Sequence, residues 1–201
     1  MTAEDYTGRY CREVQEIAAA LDRRAIDRMA ALLVEIRDRG GRLFFLGVGG
    51  GAAHASHAAG DFRKIAGMEC YAPTDNVAEL TARINDAGWE SCYADWLRGS
   101  RLSALDGVFV FSVGGGDAER CISVNLVAAL RLAREAGARI FAVVGRNGGY
   151  TAQVADAGLI VPTASPDTVT PHTEEFQAVV WHLLVSHPLL RRNEMKWESA
   201  R

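Results

Sequence analysis

Little in the composition of this 201-residue sequence would specialise it in bulk. It holds four cysteines, Cys11, Cys70, Cys92 and Cys121, scattered without a CxxC pair or a histidine at finger spacing. That scarcity argues against a disulfide framework or a zinc finger and points to reduced thiols in a cytoplasmic protein. No apolar run reaches the roughly 18 residues that a membrane span needs. The opening MTAEDYTGRYCREVQ lacks the apolar stretch of a secretory signal. An excess of one charge is also missing: the net charge is −3, so neither nucleic acid nor an anionic membrane is expected as a partner. Proline is limited to five residues, and no linker or low-complexity segment divides the chain.

What is present is ordinary for a globular protein, with 49% apolar and 23% charged residues. The length fits one large domain over 1–201, with N-terminal helices over 1–40 and an α/β core over 41–190. Helical spacing predicts two helices within 5–39, carried by Val14, Ile17, Ala18 and Leu21, then by Ile26, Met29, Leu32, Leu33 and Ile36. A strand at Leu43–Leu46 runs into Gly47-Val48-Gly49-Gly50-Gly51, followed by an alanine-rich helix over 52–66. The same order returns at Val108–Phe111, then Ser112-Val113-Gly114-Gly115-Gly116-Asp117, then a long helix predicted over 118–136. A third, weaker copy is Ile140–Val144 with Gly145-Arg146-Asn147-Gly148-Gly149. One more strand is expected within 68–72, two short helices within 76–99, a strand at 159–162, and a last helix over about 173–187. Apolar strands alternating with helices give a doubly wound, mainly parallel sheet covered on both faces.

Such sheets bind ligands at the carboxyl ends of strands, where the strand order reverses. Two of the turns at those ends are glycine-rich. Glycine lets backbone approach a ligand closely, and a following helix N-terminus offers free N–H groups and a partial positive charge. Gly47-x-Gly49-x-x-Ala52 also fits a dinucleotide fingerprint, with Asp75 near the position of an acidic ribose partner. That fingerprint leaves the second glycine triplet unexplained, and no nucleotide cofactor is expected.

Four segments in this order and spacing resemble the sugar isomerase (SIS) domain family, and within it the phosphoheptose isomerases, from about residue 25 to 187. Leu46–Gly51 stands where the family has a GNGGS turn, and LTARINDAG over 80–88 matches a segment ending in Asn-Asp-x-Gly. Phe111–Asp117 stands at STSGNS, and Val144–Gly149 at TGKDGG. The resemblance implies a five-stranded parallel sheet of flavodoxin-like order, a homotetramer with active sites shared between subunits, and isomerisation of sedoheptulose 7-phosphate or another sugar phosphate. It places substrate contacts at Val48, Gly49, Gly50, Gly51, Asn85, Asp86, Ser112, Val113, Gly114, Asp117 and Glu174. His57, Asp61, Glu174 and His182 fall on family positions that can bind zinc, and Asp61 and His182 on the catalytic carboxylate and histidine. All four side chains are competent ligands for a borderline divalent metal.

The residues add their own constraints. His57 and Asp61 lie four apart and share a helix face. His182 sits in the apolar run Val179–Leu184, where a polar side chain needs a reason, whereas His172 and His187 read as peripheral. Glu174 and His182 are separated by roughly 12 Å of helix, so one ion joins both only if Glu174 leaves the regular helix or reaches back. Hydroxyls of the family's phosphate cradle correspond here to Gly51, Gly114 and Asp117, and Ser112 alone keeps one. A carboxylate at 117 beside a phosphate dianion is costly in a dry site, and an N-cap role for Asp117 is the alternative. The opposing functional reading is a non-catalytic sensor or scaffold, which would not need Asp61, Glu174 and His182 as a set.

Overall fold

The computed structural model describes residues 3–196. Five parallel strands, β1 (Leu43–Gly47), β2 (Cys70–Tyr71), β3 (Gly107–Ser112), β4 (Arg139–Val144) and β5 (Ala157–Ile160), form one sheet in the order β2-β1-β3-β4-β5. The helices among the described residues are α1 (Ala3–Ala20), α2 (Arg23–Asp38), α3 (Gly50–Asp61), α4 (Val77–Ala87), α5 (Cys92–Gly99), α6 (Val124–Glu135), α7 (Gly149–Val154) and α8 (Val169–Ser186). The order reverses between β1 and β3, the switch point at which α/β sheets take ligands. Both glycine-rich turns, after β1 and after β3, lie there.

Alternate residues of each strand supply the two faces of the sheet. On one face Phe45, Phe109 and Phe141 stand in register across β1, β3 and β4, with ring centroids 5.4 and 5.9 Å apart. Ile17 of α1, Met29, Leu33 and Ile36 of α2, and Phe176, Val180 and Trp181 of α8 close over them. The N-terminal helices thus cover the sheet. On the other face Phe44, Leu46, Val108, Val110 and Ile140 pack with Leu97 of α5 and Leu126 and Leu130 of α6.

Several boundaries differ from the sequence expectation. The alanine-rich helix is regular only to Asp61, and Phe62–Ala66 continue it as a π-helical turn. β2 is two residues long, and β5 begins at Ala157. α8 starts at Val169, a full turn before the expected 173, because Pro171 falls in the first turn, where its missing N–H is not needed. The largest correction is the helix expected over 118–136, which begins only at Val124. Asp117 and Ile122 exchange two backbone hydrogen bonds of 2.9 Å, closing 117–122 into its own loop. Asp117 therefore does not cap α6. Its Oδ1 accepts from the N–H groups of Glu119 and Arg120, at 2.9 and 3.1 Å. A short carboxylate satisfies its own following backbone as readily as a helix end, and no apolar period before Val124 pulled the segment into helix.

Candidate functional site

α3 and α8 pack side by side on one face of the sheet and run parallel, meeting through a ladder of polar contacts. At the first rung the Glu174 carboxylate lies against the backbone of Gly50; a Cβ there would fall 2.6 Å from its Oε1 and 2.7 Å from its Oε2. At the second, His54 Nδ1 and Gln177 Oε1 are 2.8 Å apart, and Gln177 Nε2 donates to the Val143 carbonyl at 3.3 Å. At the third, the indole N–H of Trp181 donates to Asp61 Oδ2 at 3.1 Å. That same oxygen lies 3.5 Å from His57 Nε2 and 3.4 Å from His182 Nε2.

The third rung brings Asp61, His57 and His182 together, with one ligand atom of each within 4.8 Å of the other two. Asp61 is buried at 7% exposure, while the side chains of His57 and His182 remain 60% and 43% exposed. The ring of Trp181 packs against both histidines, with centroids 5.3 and 4.8 Å away. His182 Nδ1 lies 2.9 Å from the Ala178 carbonyl. A carbonyl only accepts, so Nδ1 carries a proton and Nε2 is the nitrogen turned to Asp61. Two imidazoles and a carboxylate, one imidazole oriented by a backbone carbonyl, are a donor set suited to a borderline divalent cation.

Glu174 does not join this cluster. It lies on the regular part of α8, and its contact is with Gly50, two turns of helix away. Asn85 and Asp86 end α4 in exposed positions, where the Asn85 amide donates to Asp86 Oδ1 at 2.9 Å. About 15 Å of α3, at roughly 1.5 Å per residue, separates Gly51 from Asp61. The glycine turn and the histidine cluster are therefore distinct places along one seam.

The two glycine turns also differ from each other. After β1, Gly49 (φ 60°, ψ −124°) caps α3 without a side chain, and open space surrounds it. After β3, Ser112 Oγ accepts from the Gly115 N–H at 3.0 Å, and the carbonyls of Gly115 and Gly116 accept from Thr151 and Tyr150 at the start of α7, both at 2.9 Å. That turn is the floor of a cavity of about 650 Å³ at the ends of β3 and β4, whose lining includes Asp117, Arg120, Arg146, Asn147, Tyr150 and Thr170. Another cavity, of about 430 Å³, lies at the β5 edge beside α2 and contains none of the expected site residues.

Trp181 and Gln177 were not singled out by the sequence, although Trp181 adjoins His182 within the same apolar run; His54, in the alanine-rich helix, reads from the sequence as a surface or satisfied interior histidine, and it is partnered by Gln177. Tyr93, whose hydroxyl donates to the Gly47 carbonyl at 2.6 Å, carries no pattern that would have found it. His172, expected to be peripheral, is buried at 2% exposure. Its Nε2 and Nδ1 each lie 2.9 Å from a carboxylate oxygen, of Glu13 in α1 and Glu175 in α8. Burial opposes the charged ring, but the hydrogen bonds to Glu175 and Glu13 outweigh it and raise its pKa. Glu13 is held low by hydrogen bonds from Thr168 and His172. Tyr10, bonded to Glu175, is raised to about 12.

No family model matches the sequence. It is 34% identical over 169 residues to the lincomycin biosynthesis protein LmbN of Streptomyces lincolnensis, covering 79% of this chain and 60% of that protein. The chain thus spans under two thirds of that relative. It is 32% identical over 189 residues to the phosphoheptose isomerase of Roseiflexus sp. (strain RS-1), covering 85% and 88% of the two chains. The structure overlays the phosphoheptose isomerase of Neisseria gonorrhoeae with a TM-score of 0.78 at 24% identity, over 92% of this chain and 98% of that one, which speaks for the fold. The chain belongs to the phosphoheptose isomerase family of SIS-domain proteins.

Proposed function

We propose that this chain is one SIS domain that interconverts an aldose and a ketose phosphate, a phosphosugar isomerase resembling sedoheptulose 7-phosphate isomerase. The observation that carries the proposal is the convergence of Asp61 and His182 on one point, 3.4 Å apart. Isomerisation needs one group to move a proton between adjacent carbons and another to move a proton between adjacent oxygens. Asp61, as carboxylate, takes the proton from the carbon beside the carbonyl. His182, protonated at Nε2, gives a proton to the carbonyl oxygen, and an enediol results. Reverse transfers, with carbon and oxygen exchanged, give the other isomer with no atom lost. The Ala178 carbonyl keeps the Nδ1 proton in place, so exchange runs through Nε2. The Trp181 N–H holds the carboxylate against the ring.

His57, Asp61 and His182 would alternatively hold a zinc ion or another divalent metal; with the ion bound, His182 Nε2 would be a ligand and not a proton donor, and the ion would supply positive charge to stabilise negative charge developing on the sugar oxygens. Because the cluster is distant from the glycine turns of its own chain and its histidines face outward, the reading includes a homotetramer in which one subunit's cluster meets another's turns. The described cysteines are unpaired, and no helix among the described residues is long and apolar enough to cross a membrane; a reducing, cytoplasmic setting fits the chain.

The test is incubation with sedoheptulose 7-phosphate and other ketose phosphates, followed by NMR in deuterated water. Asp61→Asn and His182→Ala are each expected to lower kcat by about 100-fold or more; full turnover in both variants would return the protein to the sensor or scaffold reading. Added zinc should raise the melting temperature. His57→Ala should abolish that rise and Glu174→Gln should leave it, which separates the three clustered ligands from the fourth position.

A further inference from the structure

The seam between α3 and α8 holds a third imidazole that the transfers between Asp61 and His182 leave unused. His54 lies one turn before His57 on α3, and its ring centroid is 5.1 Å from that of Trp181, the indole that also meets His57 and His182. The tautomer of His54 is set by a chain of bonds that begins in the sheet. The Val143 carbonyl only accepts, so the fully buried Gln177 turns its Nε2 to it at 3.3 Å and presents Oε1 to His54 Nδ1 at 2.8 Å. An amide oxygen also only accepts. Nδ1 therefore carries the proton, and Nε2 of the neutral ring carries a lone pair. His57 and His182 both turn Nε2 to the Asp61 carboxylate. Among the described residues, His54 has no carboxylate within ion-pair distance and no bond to its Nε2, and its side chain is half-buried.

We propose that His54 is a further catalytic residue of the isomerase, the acid–base group that opens the cyclic sugar before Asp61 and His182 act on it. A long-chain ketose phosphate closes on itself as a hemiketal, and the carbonyl that proton transfer between carbons requires exists only in the open chain. His54 Nε2 takes the proton of the anomeric hydroxyl, and the electron pair freed on that oxygen forms the C=O bond. The bond from the anomeric carbon to the ring oxygen breaks, its pair goes to the ring oxygen, and Nε2 returns the proton there. No atom is lost, and the imidazole ends as it began. The step needs a nitrogen with a lone pair that no carboxylate engages, and His54 Nε2 is the one on this seam. The inference rests on the isomerase reading for the sugar, and on the bonds from Val143 to His54 for the nitrogen that acts.

The experiment mixes the full chain with sedoheptulose 7-phosphate and follows two NMR signals, magnetisation exchange between the ring anomers and formation of the aldose. Ring anomers interconvert only through the open chain, so their exchange reports ring opening without isomerisation. The wild type should accelerate this exchange. His54→Asn, whose amide replaces Nδ1 but not Nε2, should lose about 100-fold of the acceleration; a melting curve checks that the variant folds. Exchange in His54→Asn equal to that in the wild type, or no acceleration by the wild type, would overturn the assignment. Nitrogen-15 NMR of the wild-type imidazoles needs no variant. His54, recognised by its contact with the Phe111 ring, should carry its proton on Nδ1, and a proton held on Nε2 instead would also overturn the assignment. Accelerated exchange with no aldose formed overturns the isomerase reading alone, since ring opening is read separately.

Discussion

The two glycine-rich turns occupy equivalent places at the ends of β1 and β3, yet they are built on different principles. The turn after β1 is completed from outside: Tyr93 of α5 holds the Gly47 carbonyl, and Glu174 of α8 covers Gly50. The turn after β3 completes itself against its neighbour. Its carbonyls cap α7, and a Cβ on Gly115 would fall 1.8 Å from the Gly148 carbonyl oxygen. Glycine at 49 serves a backbone conformation, while glycine at 115 serves a close approach of two backbones as well. Both turns hold close backbone approaches, since a Cβ on Gly51 would fall 2.4 Å from the Phe111 carbonyl oxygen, but at its tip, Gly49, the first stands in open space, while the second is a joint that floors a cavity. Glycine content alone does not distinguish them.

The sharpest way to break this comparison is to add one methyl group to each. Gly115→Ala combines a positive φ of 72° with a backbone clash and should cost about 3 kcal/mol in urea denaturation. Gly49→Ala meets open space and should cost about 1–2 kcal/mol, from its positive-φ backbone alone. Equal losses would mean that both turns are joints of the same kind.

A second, smaller effect concerns how α8 is anchored, since that helix supplies the cover of the first turn. His172 has a raised pKa, so its contribution is complete below its ordinary value of 6.5 and is lost as the pH rises through the folded-state value. Glu13 has a lowered pKa, so its contribution is complete above its ordinary value of 4.5 and is lost as the pH falls through the folded-state value. The difference in melting temperature between wild type and His172→Gln should therefore be greatest between pH 4.5 and 6.5 and should shrink at higher pH. A difference that does not vary with pH would show that the ring acts by packing alone. The smallest effect is expected at the second turn. Because the Asp117 carboxylate faces the amides of its own loop, with Arg120 3.7 Å away, Asp117→Ser should change sugar phosphate affinity by less than about threefold. A tenfold gain would show that the carboxylate does oppose the phosphate.

Much of this arrangement was legible in order along the chain. The strand, glycine turn and helix repeats were read from Leu43–Leu46 and Val108–Phe111, and they do form adjacent strands flanking the switch point. His57 and Asp61 share a face because helical spacing puts them there, and the polar His182 inside Val179–Leu184 does meet them. The segment after Gly116 was misread because its residues are compatible with helix, while the competing hydrogen bonds of Asp117 to its own loop have no periodic trace. His172 was misread because its two carboxylate partners come from different helices, one of them about 160 positions away.

The sequence by itself determined what depends on local spacing: which segments are strands buried on both faces, where glycine interrupts them, and which histidine and aspartate share a helix face. The tertiary structure decided what depends on how α3 and α8 lie against each other. Their parallel packing sets Glu174 on Gly50 and His182 on Asp61, and so divides four metal-competent residues into a cluster of three and a carboxylate seated elsewhere. Spacing within one helix fixes an angle about its axis, but the height at which two helices meet is set only by the side chains packed between them and the sheet.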